Sequence, residues 1–144
     1  MDSPVTSDHQ AIRERIAAIV GVDSTITDPE ELLFYALDLS EQPGIPPAVA
    51  ARPRDVGQVA EIVKAARAAG YYVIPRGAGI SYTRSHVPVR ERSIIIDCRD
   101  MKRIIEVNTV DRYVTLEPGV TWFELREALE GTGYRVPYQG TYSG

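Results

Sequence analysis

The chain has 144 residues, 44% hydrophobic and 25% charged, a balance that suits one soluble globular domain with a real core. A net charge of −4 argues against a polyanion partner such as nucleic acid, which is held by clustered Lys and Arg. Arg52, Arg54, Arg84, Arg90, Arg92, Lys102 and Arg103 crowd the middle of the chain, but acidic neighbours accompany them, so most read as solvated surface. The single cysteine, Cys98, excludes an intramolecular disulfide and points to a reducing compartment. No apolar run is long enough to span a bilayer, and Met1-Asp2-Ser3-Pro4 lacks the pattern of a signal peptide, so the expected location is cytoplasmic.

In chain order, Ile12, Ile16, Ile19 and Val20 recur at helical spacing, with Ser7 or Asp8 as N-cap and Gly21 as the stop. A second helix is predicted after Thr27 or Asp28, with Pro29 at its first position and Glu30 and Glu31 favourable to the dipole. It carries Leu32, Leu33, Tyr35, Ala36 and Leu37 toward Asp38. Gln42 to Pro47 is too rich in Pro and Gly for an element and reads as an extended connection. Ala48 to Ala51 forms a short strand, and Asp55 caps a helix to about Ala69 with Val59, Ile62, Val63 and Ala66 on one face and Gly70 as its stop. Tyr71 to Ile74 is expected to be a buried strand, which makes a strand-helix-strand unit with parallel strands and a right-handed crossover. Ser93 to Asp97 is another buried strand. Arg103 to Asn108 and Arg112 to Glu117 alternate apolar and polar residues around Thr109 to Asp111, the pattern of a hairpin. Thr121 then caps a helix through Leu125, Ala128 and Leu129, with Glu124 as its capping-box partner and Gly131 and Gly133 beyond its end.

The loop Pro75-Arg76-Gly77-Ala78-Gly79-Ile80-Ser81 follows a strand and carries the most chemical information. Two glycines let the main chain approach a ligand, and successive peptide N–H groups in such a turn make a concavity suited to a diphosphate. Ser81 could add a hydroxyl and Arg76 a charge. A G-x-G-x-x-G fingerprint would need Gly where Tyr82 stands, and a P-loop would need Lys and Ser/Thr after its last Gly. On its own the loop is equally readable as a plain Gly-rich turn between strands.

The order of features resembles the FAD-binding (PCMH-type) domain of the vanillyl-alcohol oxidase/p-cresol methylhydroxylase family, which includes D-lactate and glycolate dehydrogenases. The resemblance starts at Tyr35-Ala36-Leu37-Asp38 and runs through Val49, Pro53-Arg54-Asp55-Val56 and the Val59, Ile62, Val63 helix. It continues with Tyr72-Val73-Ile74-Pro75-Arg76-Gly77-Ala78-Gly79, then Ile94-Ile95-Ile96-Asp97, then Met101, Ile104 and Val107. Val114-Thr115-Leu116-Glu117-Pro118-Gly119-Val120, Leu125, Leu129 and Gly133-Tyr134 complete it. No one piece is specific, but the ordered set is.

The resemblance implies an α+β fold, an α/β-type strand-helix-strand unit plus an antiparallel hairpin, as the N-terminal half of that domain preceded by two helices. Residues 1–47 would be a helical segment and linker, and 48–144 the first part of the FAD-binding domain. The backbone of Pro75, Arg76, Gly77, Ala78, Gly79, Ile80, Ser81 and Tyr82 would hold the FAD pyrophosphate. Pro118, Gly119 and Val120 would form a second cofactor-facing segment, and Gly140 and Thr141 the start of a third. Catalytic residues are not assigned: in the family the groups that abstract a proton and orient an alcohol or 2-hydroxy acid lie past this stretch, so a missing C-terminal half or a partner subunit is expected. Covalently flavinylated members carry His where this chain has Ile80, which excludes that linkage here. A split subunit or a non-catalytic nucleotide-binding module is the alternative. His86 reads as structural, Cys98 as a core thiol, Asp97 as support for a turn, and Glu117 and Glu124 as capping or solvated groups. Tyr71, Tyr72, Tyr113, Trp122, Tyr134 and Tyr138 read as core or rim aromatics.

Overall fold

In the computed structural model, residues 9–40 and 42–137 are described. Helix α1 (Gln10–Val20) turns Ile12, Ile16 and Val20 inward, and His9 stands at its N-cap without a side-chain cap. Ser7 and Asp8, the expected caps, lie outside the described residues. A 3-10 turn (Val22–Ser24) leads into a two-residue strand β1 (Thr25–Ile26) that the sequence pattern did not reveal. Helix α2 (Pro29–Tyr35) is opened by Asp28, whose carboxylate accepts from the N–H groups of Glu30 and Glu31. It ends at Tyr35, short of the predicted run to Leu37, because Ala36 and Leu37 close 3-10-type bonds to Leu33 and Phe34.

Strand β2 (Val49–Ala51), helix α3 (Val56–Ala68), strand β3 (Tyr72–Arg76) and strand β4 (Ser93–Asp97) follow. Asp55 caps α3 through the Gln58 N–H, and Gly70 sits at φ +72 just past its end. The sheet order is β1-β2-β4-β3, with β1 antiparallel to β2 and the other pairs parallel. β2 and β3 are thus parallel as expected, but β4 lies between them. That leaves β3 on the edge and half exposed, not buried as its apolar sequence suggested. Pro75 fits there: the Tyr72 N–H donates to Arg92 O, and alternation along the strand puts the Pro75 nitrogen on the unpaired side.

Strand alternation divides the core. Val49, Ala51, Ile94 and Ile96 pack on one face against Ile12 and Ile16 of α1 and Ile62 and Ala66 of α3. Ala50 and Ile95 pack on the other face with Ile26, Leu32 and Tyr35, under α2. Beyond β4 come a 3-10 turn (Cys98–Asp100), the antiparallel hairpin β5 (Ile104–Asn108) and β6 (Tyr113–Leu116), and helix α4 (Trp122–Leu129). The predicted capping box of Thr121 and Glu124 is present.

Candidate cofactor-binding site

The three parallel strands deliver Arg52, Arg76 and Asp97 to one edge of the sheet, where their carboxyl ends meet. Ligands of open parallel sheets bind at this edge. The Asp97 side chain is wholly buried and accepts from Tyr35 Oη (2.8 Å), from the Arg99 N–H (3.2 Å) and from Arg99 Nη2 (2.7 Å). Arg52 Nε stands 3.7 Å from the same carboxylate. Arg52 and Arg99 stand on this carboxylate, with Arg76, Asp38 and Asp100 near enough to act on them or on one another, so the edge is a dense cluster of both signs. Asp97 supports its turn as expected, and it also anchors Arg99, which the sequence pattern did not single out.

From this edge the chain leaves β3 as the Gly loop. Among the described residues, no peptide N–H from Gly77 to Tyr82 donates a hydrogen bond within the chain. Buried backbone donors are almost always paired, so a run of six free ones on a surface loop is a row of donors open to a ligand. Gly79 has φ +79, and a Cβ there would lie 2.7 Å from Arg76 Cζ and 2.8 Å from Arg76 Nε. No helix follows the loop, in keeping with the failed dinucleotide and P-loop patterns.

Arg76 is not where a free charge for a ligand would be. Its side chain is 4% exposed and runs beneath Gly79, with Cζ 4.9 Å from the Phe34 ring centroid and 5.3 Å from that of Tyr35. Nη1 donates to Leu37 O at 3.3 Å, while Nε has no hydrogen-bond partner among the described residues. Burial lowers its pKa. The Ser81 hydroxyl is likewise engaged within the loop, with Thr83 Oγ1, Ser85 Oγ and the Thr83 N–H. His86 is buried, and burial, then the nearby Arg76 charge, hold it below its ordinary value of 6.5. Ile80 and Tyr82 project outward at 50% and 62% exposure, so the loop offers apolar surface beside its free amides.

The second expected segment does meet the first. A Cβ on Gly77 would lie 3.6 Å from Pro118 O. Gly119 itself is required by the chain's own backbone: a Cβ there would stand 2.7 Å from Met101 O and 2.8 Å from Arg99 O, and its N–H donates to Met101 O. Val120 closes the turn with a bond to Glu117 O. Gly140, Thr141 and Tyr138 lie outside the described residues.

The carboxylates near this segment have structural partners. Glu117 Oε1 accepts from Arg103 Nε (2.8 Å) and Nη2 (2.6 Å), and Oε2 from the Arg103 N–H (2.8 Å). These bonds hold Glu117 below the usual carboxylate range. Glu124 is held down by the Thr121 backbone bond and by Lys102. Arg52 and Arg84 are half-buried and tied into the fold, whereas Arg103 stays at the solvated surface, as expected, while paired with Glu117. Burial raises the Cys98 thiol, as befits a core residue. Tyr71 is buried, whereas Tyr72, Tyr113, Trp122 and Tyr134 are rim residues.

Residues 47–143 match the model of the FAD binding domain. An uncharacterized FAD-linked oxidoreductase of Mycobacterium tuberculosis is 35% identical over 132 residues, covering 90% of this chain and 28% of that protein. The mitochondrial D-lactate dehydrogenase [cytochrome] of Arabidopsis thaliana is 30% identical, with coverage of 80% and 20%. D-2-hydroxyglutarate dehydrogenase of Stutzerimonas stutzeri is 24% identical, with coverage of 88% and 27%. The chain thus spans between a fifth and three tenths of the length of these relatives. Among solved structures, p-cresol methylhydroxylase shares the fold with a TM-score of 0.75 at 22% identity, over 88% of this chain and 25% of that one. No helix among the described residues is long and apolar enough to cross a membrane.

Proposed function

The chain belongs to the FAD-binding domain family and its cofactor is FAD; from that premise we propose that it is the diphosphate-holding part of a flavin-dependent oxidoreductase acting on an alcohol or 2-hydroxy acid. Residues 48–144 form the first part of the cofactor domain, preceded by the helical segment 1–47. The observation that carries this reading is the run of peptide N–H groups from Gly77 to Tyr82 at the carboxyl edge of the sheet, unpaired among the described residues. Those amides hold the diphosphate, and the backbone from Pro118 to Val120 walls the same space beside Gly77. Gly140 and Thr141 join the set by resemblance alone. When bound, FAD supplies a two-electron acceptor that takes a hydride at N5. This segment contributes binding and orientation.

The test is titration of the full-length protein with FAD, FMN and ATP. FAD should bind in preference to both others and co-purify as a yellow chromophore. Preference for ATP, or absence of flavin uptake, would overturn the reading. Gly79→Val should abolish FAD retention, because a β-branched residue at φ +79 is strained and its Cβ meets the Arg76 guanidinium. Unchanged flavin content in that variant would remove the loop from the site.

A further inference from the structure

Several residues that touch the Gly loop lie before the matched FAD-binding range of 47–143. We propose that residues 34–40, with Gln42 and Pro43, form a positioning element of the cofactor site, acting on the loop through Arg76 and Arg84. This rests on the assignment of the loop to FAD.

Five hydrogen bonds and two ring contacts carry it. The Leu39 N–H donates to Ser81 O at 3.0 Å. Asp38 Oδ2 accepts from the Arg84 N–H at 2.8 Å. The Arg84 guanidinium reaches back to Gln42 Oε1 (3.0 Å) and Pro43 O (3.3 Å). Arg76 passes under Gly79 to Leu37 O, stacked on the Phe34 and Tyr35 rings. The segment thus grips the loop at its start, at Ser81 and at its far end, while the amides of residues 77–82 stay free.

Arg84 adds an independent sign. Its φ of +58 is a left-handed backbone that a long side chain rarely adopts, and such strain persists only where the surroundings over-determine it. Here Asp38, Gln42 and Pro43 of the N-terminal segment hold it, together with the Val87 N–H, which donates to Arg84 O. A loop held in shape beforehand binds at its intrinsic affinity, whereas a released loop is penalised by the fraction of time it is misshapen.

The experiment uses the full-length protein with Asp38→Ala, Asp38→Asn and Arg76→Met, reading FAD affinity by flavin fluorescence, apoprotein thermal midpoint, and hydrogen exchange at the bonded Leu39 and Arg84 amides. Asp38→Ala and Arg76→Met should weaken FAD by about tenfold or more and speed exchange of those two amides in the apoprotein. Asp38→Asn, which keeps a carbonyl acceptor for the Arg84 N–H, should recover most of the affinity. FAD affinity unchanged in the folded Asp38→Ala and Arg76→Met variants, with only a lower thermal midpoint, would overturn the proposal and leave the loop assignment standing. If wild type bound no FAD the loop assignment would fall, and the proposal, which rests on it, would fall with it; the exchange data would then report only whether the segment orders the loop.

Discussion

Strands β4 and β5 carry similar sequences, Ser93-Ile94-Ile95-Ile96-Asp97 and Ile104-Ile105-Glu106-Val107-Asn108, yet every residue of β4 is buried and none of β5 is. The difference lies in the neighbours. β4 is flanked by β2 and β3 and covered by helices on both faces, while among the described residues β5 pairs with β6 alone and packs against α4. Apolar sequence therefore announces a strand, and the number of packed neighbours decides how much of it leaves water. Ile95 is 0% exposed and Ile105 61%.

Replacing these two isoleucines is the sharpest way to break the contrast. Ile95→Ala should cost about 2–5 kcal/mol in chemical denaturation. Ile105→Ala should stay within about 0.5 kcal/mol. A cost above about 1 kcal/mol for Ile105→Ala would mean that a segment outside the described residues covers the hairpin. Next comes the joint between the regions. Gly119→Ala pushes a methyl into the carbonyls of Arg99 and Met101, and should destabilise by about 1–3 kcal/mol. Smaller still, Thr121→Ala removes the cap of α4 and should cost about 1 kcal/mol, with loss of helix signal confined to the hairpin half.

The smallest effect is a pH dependence in the sheet half. His86 titrates below its ordinary 6.5 when folded, so its neutral form is favoured by the fold. Its contribution is present above that pH and lost as acid protonates the unfolded chain first. The thermal midpoint of wild type should therefore drop further than that of His86→Gln between about pH 7.5 and 5.5. Parallel curves would show that His86 carries no such linkage.

Much of this fold was legible because it is written in local rules. Asp28, Asp55 and Thr121 cap the helices their positions announced, and Gly70 stops α3. What was not legible depends on chain segments far apart. β1 is two residues long and exists only because β2 offers an edge. The exposure of β3 follows from the insertion of β4, which no local pattern encodes. At the site, the Gly loop was visible from its residue types, and Pro118 to Val120 was named from the family order as a second cofactor-facing segment, without the approach of Pro118 to Gly77. The inward turn of Arg76 and the hold of Asp38 on Arg84 join residues 39 and 46 positions apart, where spacing carries no signal. The nearest hint was Asp38 closing the Tyr-x-x-Asp pattern and Asp97 ending an apolar strand, both polar residues at the limits of buried elements.

In the reading proposed above, the free amides from Gly77 to Tyr82 hold the FAD diphosphate. Hydrogen exchange of the full-length protein with and without FAD tests it most directly. Amides 77–82 should exchange fast in the apoprotein and become protected on FAD binding, ahead of any change in the hairpin. FAD bound with those amides still exchanging at their apoprotein rate would contradict the account.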